Sequence, residues 1–228
     1  MPDAQRVVMV GASGFGREAL DTLEAMIADG ASLEVLGVLD DGPSSTNLER
    51  LEARGITYLG ALDGWLATRP RDVRFVLGIG NPPVRRMLAE KLESAGLSPF
   101  TAIHPSANVG SVPSVADGVV ICANAVISTN VRLGRHVHVN PGVTIGHDSV
   151  LEDYVSVNPA AVISGEVHVE PETLIGASAT VLQGLTVGEG SLIGAGALVT
   201  RDVPGGVVAK GIPARWESRI IQSKEKDA

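Results

Sequence analysis

The chain has 228 residues, and its 18 Lys and Arg against 26 Asp and Glu leave a net charge of −8. This balance argues against a nucleic-acid-binding surface. The single cysteine excludes an intrachain disulfide, and no apolar stretch is as long as a membrane span or has the form of a signal peptide. We therefore expect a cytoplasmic protein without membrane insertion.

The first motif is a glycine-rich loop between a strand and a helix. The Val-rich residues 6–10 predict a buried strand, and residues 17–28 predict a helix with Leu20 and Leu23 on one face. The candidate substrate-binding residues of the loop are Gly11, Ser13, Gly14, Phe15 and Gly16. Backbone N–H groups at such a helix start suit a phosphate. Because the glycine order is not G-x-G-x-x-G, we favour a nucleotide-linked ligand over NAD, and a plain tight turn remains an alternative.

Further strands and helices alternate up to about residue 100. The strands are predicted at 35–39, 57–59 and 75–79, and the helices at 47–55, 61–68 and 84–95. Asp40 and Asp41 follow one strand, and Gly80 and Asn81 follow another. In a mostly parallel sheet these strand ends meet at one edge, where ligands bind in open α/β folds. All four are therefore candidate substrate-binding residues.

The second half of the chain is a repeat. Every sixth residue from Ile103 to Val199 is Ile, Leu or Val. We call these aliphatic positions the ladder. The residue after each ladder position is often Gly or Asn, which we expect to adopt positive φ at a turn. Strands this short must coil and stack to bury their apolar side chains, so the spacing predicts a solenoid.

The repeat ends in a proline- and glycine-containing stretch, residues 202–206. Beyond it, residues 215–222 predict a short polar helix. We therefore divide the chain into residues 1–100, 101–205 and 206–228: an α/β domain, a repeat domain, and a C-terminal cap with a short helix.

Several motifs in this order resemble one family. They are Gly11–Gly16 with Leu39–Asp41, Gly78–Asn81, Ile103–Ala107, Ile145–Asp148 and Val208–Arg215. The chain resembles the bacterial sugar O- and N-acetyltransferases related to sialic-acid O-acetyltransferases, especially the UDP-4-amino-sugar and GDP-perosamine N-acetyltransferases. The resemblance implies a Rossmann-like nucleotide-sugar-binding domain followed by a left-handed parallel β-helix, with three hexads in each coil of 18 residues.

The resemblance also implies the chemistry. The donor is acetyl-CoA, no metal is required, and a homotrimer places its active sites between neighbouring β-helices. His147 is the implied general base and Asp148 fixes its tautomer, which suits an imidazole with a pKa near the working pH. Asn140 matches an asparagine placed near the acceptor nitrogen, although it could instead stack on Asn158 as a structural amide ladder.

The donor site is assigned by the same resemblance. Its residues are expected to be Gly176, Ala177, Gly194 and Ala195 against the pantetheine arm, with Lys210 and Arg215 as candidates for its phosphates. Ser156 stands where many relatives carry a histidine that contacts the donor thioester. We therefore expect donor binding to persist with an altered local geometry.

Other charged residues are interpreted as surface groups. Arg85 and Arg86 lie on the predicted helix 84–95, where a solvated helix face is favoured over phosphate binding. His136, His138 and His168 have no acid partner in the sequence and are predicted to lie at the surface.

The sequence thus favours an acetyl-CoA-dependent N-acetyltransferase acting on a nucleotide-linked amino sugar. One alternative is O-acetylation of a sugar such as sialic acid. Another is a metal-dependent hexapeptide protein of the γ-carbonic-anhydrase type, which needs three converging histidines. A third is a nucleotide-binding trimer without catalytic activity.

Overall fold

A computed structural model of the protein describes residues 4–68 and 71–218. The first hundred residues form a parallel five-stranded sheet in the order β3-β2-β1-β4-β5, with four helices. The strands are β1 Gln5–Val10, β2 Leu33–Leu39, β3 Tyr58–Gly60, β4 Val73–Leu77 and β5 Ser98–Pro99. The helices are α1 Gly14–Ala28, α2 Ser45–Glu52, α3 Leu62–Ala67 and α4 Pro82–Ser94.

This α/β domain forms because its central strand is apolar on both faces. Residues 7–10 of β1 are buried, and β1 pairs with both β2 and β4. Leu20 and Leu23 of α1 pack against one face of the sheet, in the same core as Val7. The carboxyl ends of β1, β2 and β4 therefore lie side by side at one edge, as the sequence predicts.

The remainder is a left-handed parallel β-helix of two-residue strands, which alternate among three sheets. Sheet 1 contains β6 Ala102–Ile103, β9 Val120–Ile121, β12 His138–Val139, β15 Ser156–Val157, β18 Leu174–Ile175 and β21 Leu192–Ile193. Sheet 2 contains β7 Asn108–Val109, β10 Val126–Ile127, β13 Thr144–Ile145, β16 Val162–Ile163, β19 Thr180–Val181 and β22 Leu198–Val199. Sheet 3 contains β8 Ser114–Val115, β11 Arg132–Leu133, β14 Val150–Leu151, β17 His168–Val169 and β20 Thr186–Val187.

The ladder residues fill the interior of this triangular prism. His138 of β12 pairs with Ser156 of β15, one coil further along the chain. In each strand the ladder aliphatic points inward, and from Ile121 to Val199 every ladder residue is at most 2% exposed. Burial of this continuous aliphatic column supplies the main stabilisation of the domain.

The turns follow a different phase from the predicted one. Positive φ recurs at every sixth residue from Val112 (53°) to Gly196 (66°), three positions after the ladder residue. The expectation that the residue immediately after the ladder takes positive φ is therefore wrong. At the position immediately after the ladder residue, glycine is needed because a side chain would not fit. A Cβ on Gly146 would lie 2.5 Å from the backbone nitrogen of Gly165 in the next coil.

The C-terminal cap also differs from the prediction. Arg215–Ser218 forms strand β24, antiparallel to β23 Val207–Lys210, instead of the start of a helix. Pairing with β23, which itself extends sheet 1, satisfies backbone groups that would otherwise end the sheet unpaired. Residues 219–222 of the predicted helix lie outside the described residues.

The α/β domain covers the outer face of sheet 1. The outward residues of its first four strands are Ala102, Val120, His138 and Ser156, each at most 1% exposed. The corner between sheets 2 and 3 is the one opposite that covered face. Every helix within residues 4–68 and 71–218 is too short or too polar to span a bilayer.

Candidate active site

His147 and Asp148 form an exposed pair at the corner between sheets 2 and 3. They lie in the turn that follows β13, and their side chains are 57% and 46% exposed. His147 Nδ1 lies 2.7 Å from Asp148 Oδ2. An ionised carboxylate only accepts hydrogen bonds, so Nδ1 carries the proton and the lone pair of Nε2 is left for another partner.

Asp148 is held from two sides. Asn130 Nδ2 donates to its Oδ1 at 2.9 Å, and His147 engages Oδ2. These hydrogen bonds, first that of Asn130 and then that of His147, lower the pKa of the Asp148 carboxyl below its usual value. The acid therefore remains ionised beside the imidazole, as a tautomer-fixing partner requires.

The imidazole lies over Gly165, the equivalent position one coil on. A Cβ at Gly165 would lie 2.6 Å from His147 Cε1 and Nε2. A larger residue would have to displace the exposed ring, so this glycine leaves room for it. Sequence reasoning missed Gly165, although its spacing of one coil from His147 was a usable signal.

Glu166 adds a second carboxylate at this corner. Ligand-type atoms of His147, Asp148 and Glu166 all lie within 4.8 Å of one another. All three residues are exposed, and such clusters are common on protein surfaces, so we assign no metal site to them. The three converging histidines that the carbonic-anhydrase alternative needs are not brought together among the described residues.

A second candidate site lies at the carboxyl edge of the α/β sheet. It is a pocket of about 200 Å³ with a mainly apolar wall. Its lining residues are Val10, Gly11, Asp40, Asp41, Leu62, Ile79, Val84, Met87 and Leu88. Three of the predicted substrate-binding residues, Gly11, Asp40 and Asp41, thus border one cavity.

The acids of this pocket also organise its backbone. Asp40 Oδ2 accepts from Ala12 N at 2.8 Å and thereby ties the end of β2 to the glycine loop. Asp41 Oδ1 accepts from Leu62 N at 2.8 Å at the start of α3. Both contacts tie distant segments together and are also compatible with a purely structural role, so the sequence alone could not separate the two roles.

The other predicted substrate-binding residues of the α/β domain are not among the lining residues of this pocket. Ser13 is the N-cap of α1, followed by the exposed Gly14. Gly16 is required by close packing, since a Cβ there would lie 1.9 Å from Gly11 O. Asn81 caps α4 through a 3.1 Å bond from Val84 N, and the carbonyl of the preceding residue, Gly80, accepts from Ser156 Oγ at 3.1 Å.

Arg85 is buried between the two domains, so the prediction of a solvated helix face is wrong for it. The side chain is fully enclosed, and its Nη1 donates to Ile79 O at 2.8 Å and Ser156 Oγ at 2.9 Å. Its Nη2 donates to the carbonyl of Tyr154. Burial lowers the pKa of Arg85 to about 9, which still leaves it charged at neutral pH. Arg86 follows the prediction, since half of its side chain is exposed.

His138 lies in the same seam, so its predicted surface position is also wrong. Its ring stacks on Phe15 of the glycine loop at 4.4 Å between centroids, and Nδ1 lies 3.2 Å from Arg85 Nη1. Burial, and then the charge of Arg85, hold the pKa of His138 well below its usual value. Its Nδ1 must accept from the guanidinium, so the proton is on Nε2. Phe15, predicted to bind substrate, thus contacts the β-helix.

His136 is the second buried histidine, so its predicted surface position is wrong as well. It stacks between Phe75 and Tyr154, and its Nε2 lies 3.2 Å from Glu93 Oε1. Burial lowers its pKa, while Glu93 partly opposes that shift. His168 is exposed as predicted, although it does have an acid partner: its Nε2 lies 3.1 Å from Glu152 Oε1.

Asn140 and Ser156, predicted to bind acceptor and donor, are both nearly buried. Asn140 is 6% exposed, and its Nδ2 donates to Val157 O at 2.9 Å. Ser156 is 1% exposed because the α/β domain covers it. Neither role is tested by this geometry, and both remain predictions.

Apart from Ser156, the residues predicted to bind the pantetheine arm lie in one row at the corner between sheets 1 and 2. Gly176 and Gly194 succeed each other by one coil, and a Cβ on Gly194 would touch the Lys210 side chain at 3.2 Å. Lys210 and Arg215 are exposed at the C-terminal end of this row. This corner is not the one that carries His147, so a single chain does not bring the two sets together.

Comparison with known proteins finds a family match in each half of the chain. Residues 6–92 match the family described as the PglD N-terminal domain, and residues 166–201 match the hexapeptide repeat of succinyl-transferase. A mutant perosamine N-acetyltransferase from Caulobacter crescentus, in complex with CoA and GDP-perosamine, superposes with a TM-score of 0.83 at 28% identity. The match covers 93% of this chain and 96% of that one. The chain is thus similar to a sugar N-acetyltransferase over nearly its whole length.

Other acetyltransferases are similar to the chain as well. The acetyltransferase domain of PglB from Neisseria gonorrhoeae FA1090, in complex with acetyl coenzyme A, has a TM-score of 0.81 at 27% identity, over 94% of this chain and all of that one (100%). GDP-perosamine N-acetyltransferase of Escherichia coli O157:H7 is 30% identical over 145 residues, which are 63% of each chain. UDP-N-acetylbacillosamine N-acetyltransferase of Bacillus subtilis (strain 168) is 34% identical over 43% of this chain and 50% of its own length.

Proposed function

We propose that the protein transfers the acetyl group of acetyl-CoA to the amine of a nucleotide-linked amino sugar, with His147 as general base. The observation that carries the proposal is the exposed His147–Asp148 pair on a fold that matches CoA- and GDP-perosamine-bound structures over nearly its whole length. The relatives named above are N-acetyltransferases, which favours an amine over a hydroxyl acceptor.

The residues of the pair divide the proton transfer between them. The sugar amine attacks the thioester carbonyl carbon, and His147 Nε2 accepts the proton that the nitrogen loses. Asp148 keeps Nδ1 protonated and stabilises the imidazolium that forms. The C–S bond then breaks, and the imidazolium returns its proton to the departing thiolate, which leaves the amide and free CoA.

The acceptor is proposed to bind through its nucleotide in the pocket at the carboxyl edge of the α/β sheet. The apolar wall suits the face of a base, while Asp40 and Asp41 offer acceptors at the rim. Backbone N–H groups at the start of α1 suit the diphosphate. The donor is proposed to lie along Gly176, Ala177, Gly194 and Ala195, with Lys210 and Arg215 near its phosphates.

A homotrimer would complete the site. The α/β domain with its pocket covers sheet 1, whereas His147 lies at the opposite corner of the prism. Sheet 2 meanwhile exposes Val126 (43%) and Val162 (37%) on its outer face, which suits contact with a neighbouring copy. We infer that His147 of one subunit serves the acceptor bound by another.

The test is thiol release from acetyl-CoA with UDP-, GDP- and dTDP-linked amino sugars, for the wild type and His147→Ala. We expect turnover on at least one acceptor and a loss of about 10²- to 10⁴-fold in the variant, the usual contribution of a general base. His168→Ala is the matched control, because it removes another exposed, acid-paired histidine.

Other outcomes would redirect the assignment. Turnover of hydroxyl acceptors without turnover of any amino sugar would indicate O-acetylation. Nucleotide binding without thiol release from any acceptor would indicate a binding trimer. Equal activity of the wild type and His147→Ala would remove His147 from the mechanism.

A further inference from the structure

Asn130 lies one coil before Asp148, at the same corner of the β-helix. Its φ of 57° is in the left-handed region, which asparagine tolerates better than most residues. Its amide donates to Asp148 Oδ1 at 2.9 Å while Asp148 Oδ2 engages His147 Nδ1. The side chains of Asn130, Asp148 and His147 thus form one hydrogen-bonded chain that ends at the imidazole.

Each carboxylate oxygen of Asp148 therefore has its own partner. The exposed carboxylate would otherwise rotate freely, and its oxygens could turn away from His147. Asn130 restricts that rotation from the coil before, and Gly165 leaves room for the ring in the coil after. The imidazole is consequently oriented by a hydrogen-bonded chain that begins one coil away.

We propose that Asn130 is a positioning residue for acetyl transfer, which holds Asp148 so that His147 keeps its proton on Nδ1 and offers Nε2 to the acceptor amine. This inference rests on the proposed function, because the orientation matters only if His147 acts as the base. An amide at position 130 supplies a donor, whereas a carboxylate there would repel Asp148. A glycine would keep the left-handed turn but supply no donor.

The charges that face His147 set the direction of the expected pH effect. Among the described residues these are Asp148 at the same corner and Glu166 one coil on. A further negative charge at position 130 favours the protonated imidazole. The base would then require a higher pH to become active.

The experiment compares Asn130→Gly and Asn130→Asp with Asn124→Gly and Asn124→Asp. Asn124 is an ideal control because it is also exposed and left-handed, with φ of 57°, but lies at the corner between sheets 1 and 2. We expect Asn130→Gly to lower kcat by about tenfold, the scale of a hydrogen bond to a charged group, with little change in KM. We expect Asn130→Asp to move the acidic limb of the kcat/KM profile upward by about one pH unit. Both Asn124 variants should match the wild type.

A second readout does not depend on turnover. The Cε1 proton of His147, identified by its absence in His147→Ala, is titrated by NMR in the same variants. We expect a higher midpoint in Asn130→Asp and an unchanged one in Asn124→Asp. If the wild type transfers no acetyl group, the proposed function fails, and the titration still decides whether Asn130 acts on the pair. Unchanged kinetics and titration in both Asn130 variants, or equal shifts in the Asn124 variants, would overturn the inference.

Discussion

His147 and His138 occupy neighbouring hexads but opposite environments. His147 is 57% exposed at an open corner with a carboxylate on Nδ1. His138 is 1% exposed beneath the α/β domain, with the guanidinium of Arg85 on Nδ1. The carboxylate makes Nδ1 a donor and leaves Nε2 as a base, whereas the guanidinium makes Nδ1 an acceptor and leaves a neutral ring. His147 lies in a corner turn and His138 on a strand face, and at each place the partner and the burial of the ring determine its chemistry.

The largest expected effect tests whether the pocket of the α/β domain and His147 form one active site only when they come from different subunits. Val84→Trp fills the pocket from a residue that is 40% exposed, and His147→Ala removes the proposed base. Each variant alone should be inactive. Co-expressed subunits should recover about a quarter of wild-type activity, because random trimers pair an intact pocket with an intact base at that frequency. Thiol release from the purified mixture measures this.

The control for subunit mixing is His147→Ala co-expressed with His147→Gln. Both variants lack the base, so no combination of them restores a site. If the Val84→Trp mixture also stays inactive while trimers form, the pocket and His147 do not serve one site in different subunits.

Arg85→Met tests the buried environment of His138 beneath the α/β domain. The variant leaves the carbonyls of Ile79 and Tyr154 without their donor in a closed seam. A buried carbonyl left without its donor typically costs about 1–3 kcal/mol, so we expect a loss of about 2 kcal/mol or more in the free energy of unfolding. Chemical denaturation measures it. Arg86→Met should cost less than about 1 kcal/mol, because Arg86 is half exposed in its pair with Glu172. Similar losses in the two variants would contradict the assigned role of Arg85.

The smallest effect is the pH dependence of stability. The folded-state pKa values of His136 and His138 are lowered, both chiefly by burial. The unfolded chain therefore binds protons more readily once the pH falls below about 6.5, the ordinary histidine pKa. Stability should fall as the pH is lowered from about 7 to about 5.5, by up to about 1.4 kcal/mol per pH unit for each histidine. Denaturation at several pH values measures the slope.

A matched pair of variants shows which histidine causes this pH dependence of the free energy of unfolding. His138→Gln should flatten it, since glutamine does not titrate in this range. His168→Gln should leave it unchanged, because His168 is exposed. An unchanged slope in His138→Gln would exclude His138 as its source.

The fold was largely predictable because its signals are local and periodic. The aliphatic ladder from Ile103 to Val199 has one inward position per hexad, which a narrow stacked coil alone satisfies. The position of the positive φ was not predictable from glycine, because Val112, Asn130 and Glu166 also adopt it where the coil closes. Glycine instead marks close approach between coils, as at Gly146.

The candidate site was predictable only in part. Adjacent residues such as His147 and Asp148 reach each other at any turn, so their pairing follows from the sequence and is present in the structure. Asn130 and Gly165 act on the pair across whole coils, and their roles become visible only when the coils stack. The tail strand β24 was also missed, since its partner β23 is supplied by the capped end of sheet 1.

By itself, the sequence determined the two domain types, the repeat and the acid–histidine pair, since each rests on neighbouring or regularly spaced residues. The tertiary structure decided which polar residues become buried. Arg85 looked like a surface residue of helix α4, and His138 like a surface residue of the coil, until the α/β domain covered sheet 1. Burial by a distant domain leaves no periodic trace in the sequence, because it depends on which faces of two completed domains meet.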